Sequence, residues 1–195
     1  LLGRAKRRGG NASGGTVSVY LLQGFRVTVG WRSVAGGPLE VVTLIGIISD
    51  THGLLRPEAL EALRGSDTII HAGDVGDAGI LDALRAIAPV TAVRGNVDRG
   101  ELARALPATA IVENEGISIY VLHDLAELDL EPVAAGIRVV VSGHTHAPLI
   151  RESRGVLYVN PGSAGPRRFR LPISVAKLEV DGSAVAARIV ELPIS

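Results

Sequence analysis

The sequence contains no cysteine. Disulfides and thiolate metal sites are therefore excluded, which leaves carboxylate, imidazole and amide groups as ligands. The absence also fits a cytoplasmic address. Methionine is missing too, so the opening Leu1 is to be explained by an alternative start codon, a processed end or a misassigned start. Long apolar runs are lacking: none approaches the roughly eighteen residues that span a bilayer, and no membrane association is expected. Net charge is zero, but unevenly spread. Residues 1–40 carry six Lys or Arg and one acid, whereas residues 41–195 carry fourteen against nineteen. The acidic body argues against a broad nucleic-acid-binding face.

What is present is a chain of 195 residues, 47% hydrophobic and 21% charged. Those values fit a soluble globular protein with room for one proper core. LLGRAKRRGGNASGG (1–15) is basic and glycine-rich without apolar periodicity, and reads as disordered. TVSVYLL and FRVTVGW alternate weakly and predict a hairpin across Gln23-Gly24. No continuous apolar segment follows the basic residues, so a signal peptide is not expected. Asn11-Ala12-Ser13 fits a glycosylation sequon, a triplet that arises often by chance. Residues 1–40 are accordingly read as an appendage, disordered or outside the fold, and 41–195 as the domain proper.

From Val42 onward, strands and helices alternate. TLIGII predicts a strand, PEALEALRG (57–65) a short helix with proline in its first turn, and DTIIHAGD a strand running into a loop. GILDALRAIA predicts a second helix, and VTAVRGNVD a strand and loop. This βαβα order implies parallel strands with helices outside. After Pro107 the pattern turns to β through TAIVEN, ISIYVL, RVVVSG, LYVNPG, PISVAKLEV and AVAARIVEL, interrupted by one helix expected at Leu125–Ala135. The whole reads as two packed sheets with flanking helices.

The chemistry-bearing residues fall where strands end. Asp50 and His52 follow the first strand within SDTHG; two apart in extended chain, they point to one side and suit a divalent metal. The alternative for that fragment alone is a helix N-cap and a solvated turn. Asp74 lies in HAGDVGD, Asn96 in RGNVD, His123 ends ISIYVLH, and His144 and His146 form SGHTH. Ligands of open α/β sheets bind beyond the carboxyl ends of the strands, and four of the five histidines lie there.

Taken in order, D-x-H, G-D, G-N, a lone His and G-H-x-H resemble the calcineurin-like metallophosphoesterase superfamily. The short length, GNVD and NPGSAGPRRF are similar to its small bacterial and archaeal phosphodiesterase branch. The resemblance implies an α/β/β/α sandwich of two mixed sheets and a metal-dependent phosphodiesterase using a hydroxide at a dinuclear centre. It assigns Asp50, His52, His146 and Asp74 to one ion, and Asn96, His123, His144 and the bridging Asp74 to the other. Asp50, Asp74, Asn96 and His123 are the catalytic candidates, with Asn96, Arg167 and Arg168 for substrate. Mixed nitrogen and oxygen ligation suits Mn²⁺, ranked first, or Zn²⁺, Fe, Ni²⁺ or Co²⁺. Gly73, Gly95 and Gly143 would let backbone approach the cluster. The implied partner is a small phosphoester; self-association is left open.

Two departures stand out. Asp124-Leu125 follows His123, where many relatives have Gly-His. Val97 follows the G-N pair, where larger phosphatases of the superfamily carry a histidine that protonates the leaving group. A rival reading is a catalytically weak protein-binding scaffold, similar to a retromer subunit of the same fold. A DNA-repair nuclease would need that missing histidine. His71 is expected to be a buried structural residue, Asn160 and Ser163 to form a turn near the metals, and Asp98 to brace a ligand.

Overall fold

The computed structural model describes residues 42–194 and, before them, the backbone of residues 18–22 and 25–29. The chain divides into two units, Leu1–Val41 and Val42–Ser195. In the first, β1 (Ser18–Leu22) pairs antiparallel with β2 (Phe25–Val29), Leu22 opposite Phe25. The stretch read as disordered, residues 1–15, and the turn at 23–24 lie outside the described residues.

The second unit holds two mixed five-stranded sheets. One comprises β3 (Val42–Ile48), β4 (Thr68–His71), β5 (Val90–Ala92), β11 (Ser174–Asp181) and β12 (Ala184–Glu191), in the order β12-β11-β3-β4-β5. The other comprises β6 (Thr109–Asn114), β7 (Ile117–Leu122), β8 (Ile137–Val141), β9 (Leu149–Ser153) and β10 (Val156–Asn160), in the order β6-β7-β8-β10-β9. β3, β4 and β5 run parallel, as do β7, β8 and β10. Their carboxyl ends therefore share one edge of each sheet, where the candidate residues follow.

Between the sheets lies a core drawn from both, including Ile45, Ile47 and Ile70 against Ile119, Val121, Val139 and Val159. The central strand β3 is apolar on both faces because both are covered. Its outer face packs on α1 (Pro57–Leu63) and α2 (Ala78–Arg85) through Ala59, Leu63, Ile80, Leu81 and Leu84. A Cβ on Gly46 would lie 2.7 Å from Leu63 Cδ2, so glycine in mid-strand is what lets α1 close on the sheet. Asp77 caps α2 by accepting the Gly79 N–H at 2.7 Å. No helix among the described residues is long and apolar enough to cross a membrane.

The expected pair of packed mixed sheets with flanking helices is present, and three local expectations change. The helix predicted at Leu125–Ala135 is only a 3₁₀ turn at Leu125–Glu127. Pro132 lacks the N–H a continuous helix needs and disfavours helical backbone at Glu131. Leu125, Leu128 and Leu130 instead cover the outer face of the second sheet as a loop. A helix not anticipated, α3 (Gly100–Ala105), buries no residue and so leaves no apolar stripe to read. The predicted helix through Ala88 ends at Arg85.

Candidate metal centre

Five strand ends deliver the seven candidate ligands to one place. His146 Nε2 lies 3.2 Å from Asp50 Oδ1 and 3.1 Å from His52 Nε2. Asp74 Oδ2 stands 3.8 Å from His52 Nε2 and 3.3 Å from His123 Nε2. Asn96 Oδ1 is 3.1 Å from both His123 Nε2 and His144 Nδ1. The seven thus form an unbroken chain of contacts, with Asp74 facing an imidazole on either side. Asp50, Asp74, His123 and His146 are buried, whereas Asn96 and His144 are exposed, giving the cluster a deep end and an open one.

The backbone carries an independent mark. Eight described non-glycine residues have positive φ, and five are candidate ligands: Asp50 (54°), His52 (48°), Asp74 (55°), His144 (67°) and His146 (59°). Side chains rarely adopt this conformation, at a cost of about 1–3 kcal/mol each, and such strain gathers at functional sites. Loop-to-loop bonds hold it: Asp50 N–H to Gly73 O at 3.0 Å, His52 N–H to Asp74 O at 2.9 Å, and Gly143 N–H to His123 O at 2.9 Å. The turns leave the ideal strand geometry in which Asp50 and His52 would simply share a face.

Glycine makes the close approach feasible. A Cβ on Gly95 would fall 2.1 Å from Asp74 Oδ1, on Gly73 2.6 Å from His123 Nδ1, and on Gly143 2.7 Å from Asp50 Oδ2.

The donor set fits divalent cations. Asp50 Oδ1 is buried without a hydrogen-bond partner, and two imidazole nitrogens converge beside it. Asp50, His52 and His146 offer ligand atoms within 4.8 Å of one another, and so do Asp50, Asp74 and His123. Burial lowers the pKa of His52 against the pull of Asp74 and Asp50, which keeps its ring a neutral lone-pair donor. For Asp74, burial acts upward but is outweighed by the His123 hydrogen bond and the Val97 N–H, so its pKa falls below the usual value. Burial pushes His123 down, and its hydrogen bond to Asp74 more than restores it, raising the pKa. His123 Nδ1 donates to Ala72 O at 2.8 Å, which turns Nε2 toward the cluster.

Other expected residues are placed as follows. His71 is fully buried, with Nε2 3.0 Å from Thr51 Oγ1, outside the cluster. Asn160 donates to Gly143 O, and Ser163 Oγ donates to Asp50 O at 2.9 Å, so their turn braces two ligand loops. Asp98, expected to brace a ligand, does so through backbone: its carboxylate accepts the Gly76 and Gly95 N–H groups, each at 2.8 Å, clamping two loops. Among the described residues it has no hydrogen bond to a ligand side chain. The Arg168 charge is felt at His52, whereas Arg167 lines a separate hollow with Arg170, Leu171 and Glu191. Ser49 went unnoticed in the sequence. It is fully buried, with Oγ 2.7 Å from Asp50 Oδ2, and a hydroxyl between an apolar run and an aspartate was its one signal. Beside the open end lies a hollow of about 270 Å³, lined among others by Arg94, Asn96, His123, Asp124, Glu127 and His144.

Residues 44–183 match the calcineurin-like phosphoesterase superfamily domain. A probable metallophosphoesterase of Methanocaldococcus jannaschii is 41% identical, the alignment covering 71% of this chain and 76% of that protein. Among solved structures, Vps29 from Cryptosporidium parvum superposes with a TM-score of 0.67 at 20% identity, covering 77% of this chain and 92% of that one. A structure described as a novel archaeal phosphodiesterase superposes with a TM-score of 0.64 at 24% identity, covering 76% and 100%.

Proposed function

The chain belongs to the calcineurin-like phosphoesterase superfamily, and from that premise we propose that it is a phosphodiesterase working with two divalent ions, Mn²⁺ foremost. The observation that carries the reading is the continuous contact chain from Asp50 through Asp74 to His144, in which every member can ligate. Asp50, His52, His146 and Asp74 would hold one ion; Asn96, His123, His144 and Asp74 the other. Bound there, the pair of ions supplies charge neutralisation of the phosphate and a water made acidic enough to serve as nucleophile at neutral pH.

The chain's own residues do the rest. The buried carboxylates of Asp50 and Asp74 supply the negative charge that gathers two cations. Asp74, held ionised by His123 and the Val97 N–H, is the group suited to bridging. Asn96 turns Oδ1 toward His123 and His144, so its amide NH₂ is free to donate to a phosphate oxygen at the open end. Arg168, whose positive charge is felt at His52, would offer its guanidinium to a second phosphate oxygen. Val97 offers no proton, and Asp98 has both oxygens engaged by backbone N–H groups. The leaving group therefore departs without a positioned acid, which favours esters of acidic alcohols and phenols.

The likeness to Vps29 supports a second reading, a protein-binding scaffold that holds metal but turns over little. The complete ligand set favours hydrolysis, as does the likeness to the archaeal phosphodiesterase. Metal analysis of the purified chain, alongside a panel of phosphodiesters and phosphomonoesters, separates the two. Metal with diester turnover supports the enzyme, and metal without turnover supports the scaffold.

A further inference from the structure

Asp124 immediately follows His123, and its carboxylate has two tasks. Oδ1 accepts the Ala126 N–H at 2.9 Å and caps the 3₁₀ turn. Oδ2 lies 3.5 Å from His144 Nε2. The opposite ring nitrogen, His144 Nδ1, faces Asn96 Oδ1 at 3.1 Å. His144 is the most weakly housed of the candidate ligand histidines. His123 is anchored by a backbone carbonyl behind its ring, and His146 is buried, but the His144 side chain is 41% exposed. Asp124 is the acidic group that meets it.

A neutral imidazole has one N–H, and the partner of that N–H determines which nitrogen keeps the lone pair. A carboxylate only accepts. Behind Nε2 it favours the proton there, freeing the Nδ1 lone pair on the side that faces Asn96. It also restrains an exposed ring that otherwise samples several rotamers. We infer that Asp124 is a positioning residue which orients His144 for the second ion, so that this half of the centre depends on the side chain that directly follows His123. The inference rests on the dinuclear reading above.

The test is calorimetric titration of the full chain with Mn²⁺ alone. Asp124→Asn keeps the cap, since an amide oxygen can still accept the Ala126 N–H, but it then turns an NH₂ donor toward His144. The expected result is a second binding event weakened about 10–100-fold, with the first event and the melting temperature of the metal-free chain unchanged. In a His144→Ala background, Asp124→Asn should have no further effect, because its partner is gone. A merely structural role would weaken both events equally, or act equally in both backgrounds, and either outcome overturns the inference. So does an unchanged second affinity. A wild-type chain binding fewer than two ions would instead sink the dinuclear reading, and this inference with it.

Discussion

Gly95 and Asp74 are packed so that a Cβ on Gly95 would lie 2.1 Å from Asp74 Oδ1 and 2.3 Å from the Asp74 backbone nitrogen. The same carboxylate oxygen accepts the Val97 N–H at 2.9 Å, so the loop after β5 wraps directly around Asp74. Backbone on one side leaves no flexible side-chain end to yield. Gly95→Ala should therefore cost about 1–3 kcal/mol by overpacking and displace Asp74 from both halves of the centre. Thermal melting and metal content measure this together; an alanine variant with unaltered metal uptake would show that the loop has slack.

His71 gives the acid stability a predictable slope. Burial lowers its pKa from 6.5 to about 4. The folded ring stays neutral while the unfolded chain takes up a proton below about pH 6.5. Its contribution is therefore intact above that pH and is lost as the pH falls toward 4, at roughly 1.4 kcal/mol per unit. Replacing it by a group that does not titrate, His71→Gln, should flatten the stability profile of the metal-free protein between those values. Chemical denaturation across that window reads the difference, and parallel profiles for the two proteins would contradict the assignment.

The strand-end placement of Asp50, Asp74, Asn96, His123, His144 and His146 was legible because each interrupts or follows an apolar run with glycine or a small residue beside it. Their left-handed backbone was not, because no residue type announces positive φ except glycine and, weakly, Asn, Asp and His. Leu125, Leu128 and Leu130 imitate helical spacing, and only Pro132 hinted that they would cover a sheet as a loop. Arg167 and Arg168 are neighbours in sequence yet face different surroundings, because loop direction is set by anchors such as Arg56 Nε on Gly165 O at 3.2 Å. Asp98 offered no sign in sequence of the two backbone N–H groups it would bind.

The chain from Val42 onward should fold alone and keep its activity. The unit Val42–Ser195 holds both five-stranded sheets and, in itself, a core between them and apolar clusters on their outer faces. A protein lacking residues 1–41 should melt within a few degrees of the full chain. Insolubility, or a large fall in melting temperature, would mean that the removed segment contributes to the core.

Val97 predicts how the rate depends on the leaving group. A positioned acid typically contributes about 10²–10⁴-fold to expulsion of a poor leaving group, and valine supplies none. Aryl phosphodiesters with acidic phenols should react readily and simple alkyl diesters slowly, with a steep fall as leaving-group pKa rises. Val97→His should make that fall shallower where the loop permits. A flat dependence for the unaltered protein, with chemistry limiting turnover, would mean that another residue delivers the proton.

The central claim, that Asp74 joins two ions into one hydrolytic centre, is tested most directly by measuring bound metal and aryl phosphodiester turnover on the same samples of wild type and Asp74→Ala. The account predicts about two ions per wild-type chain, falling to one or none in the variant, with turnover abolished. A variant that retained both ions and full turnover would contradict it.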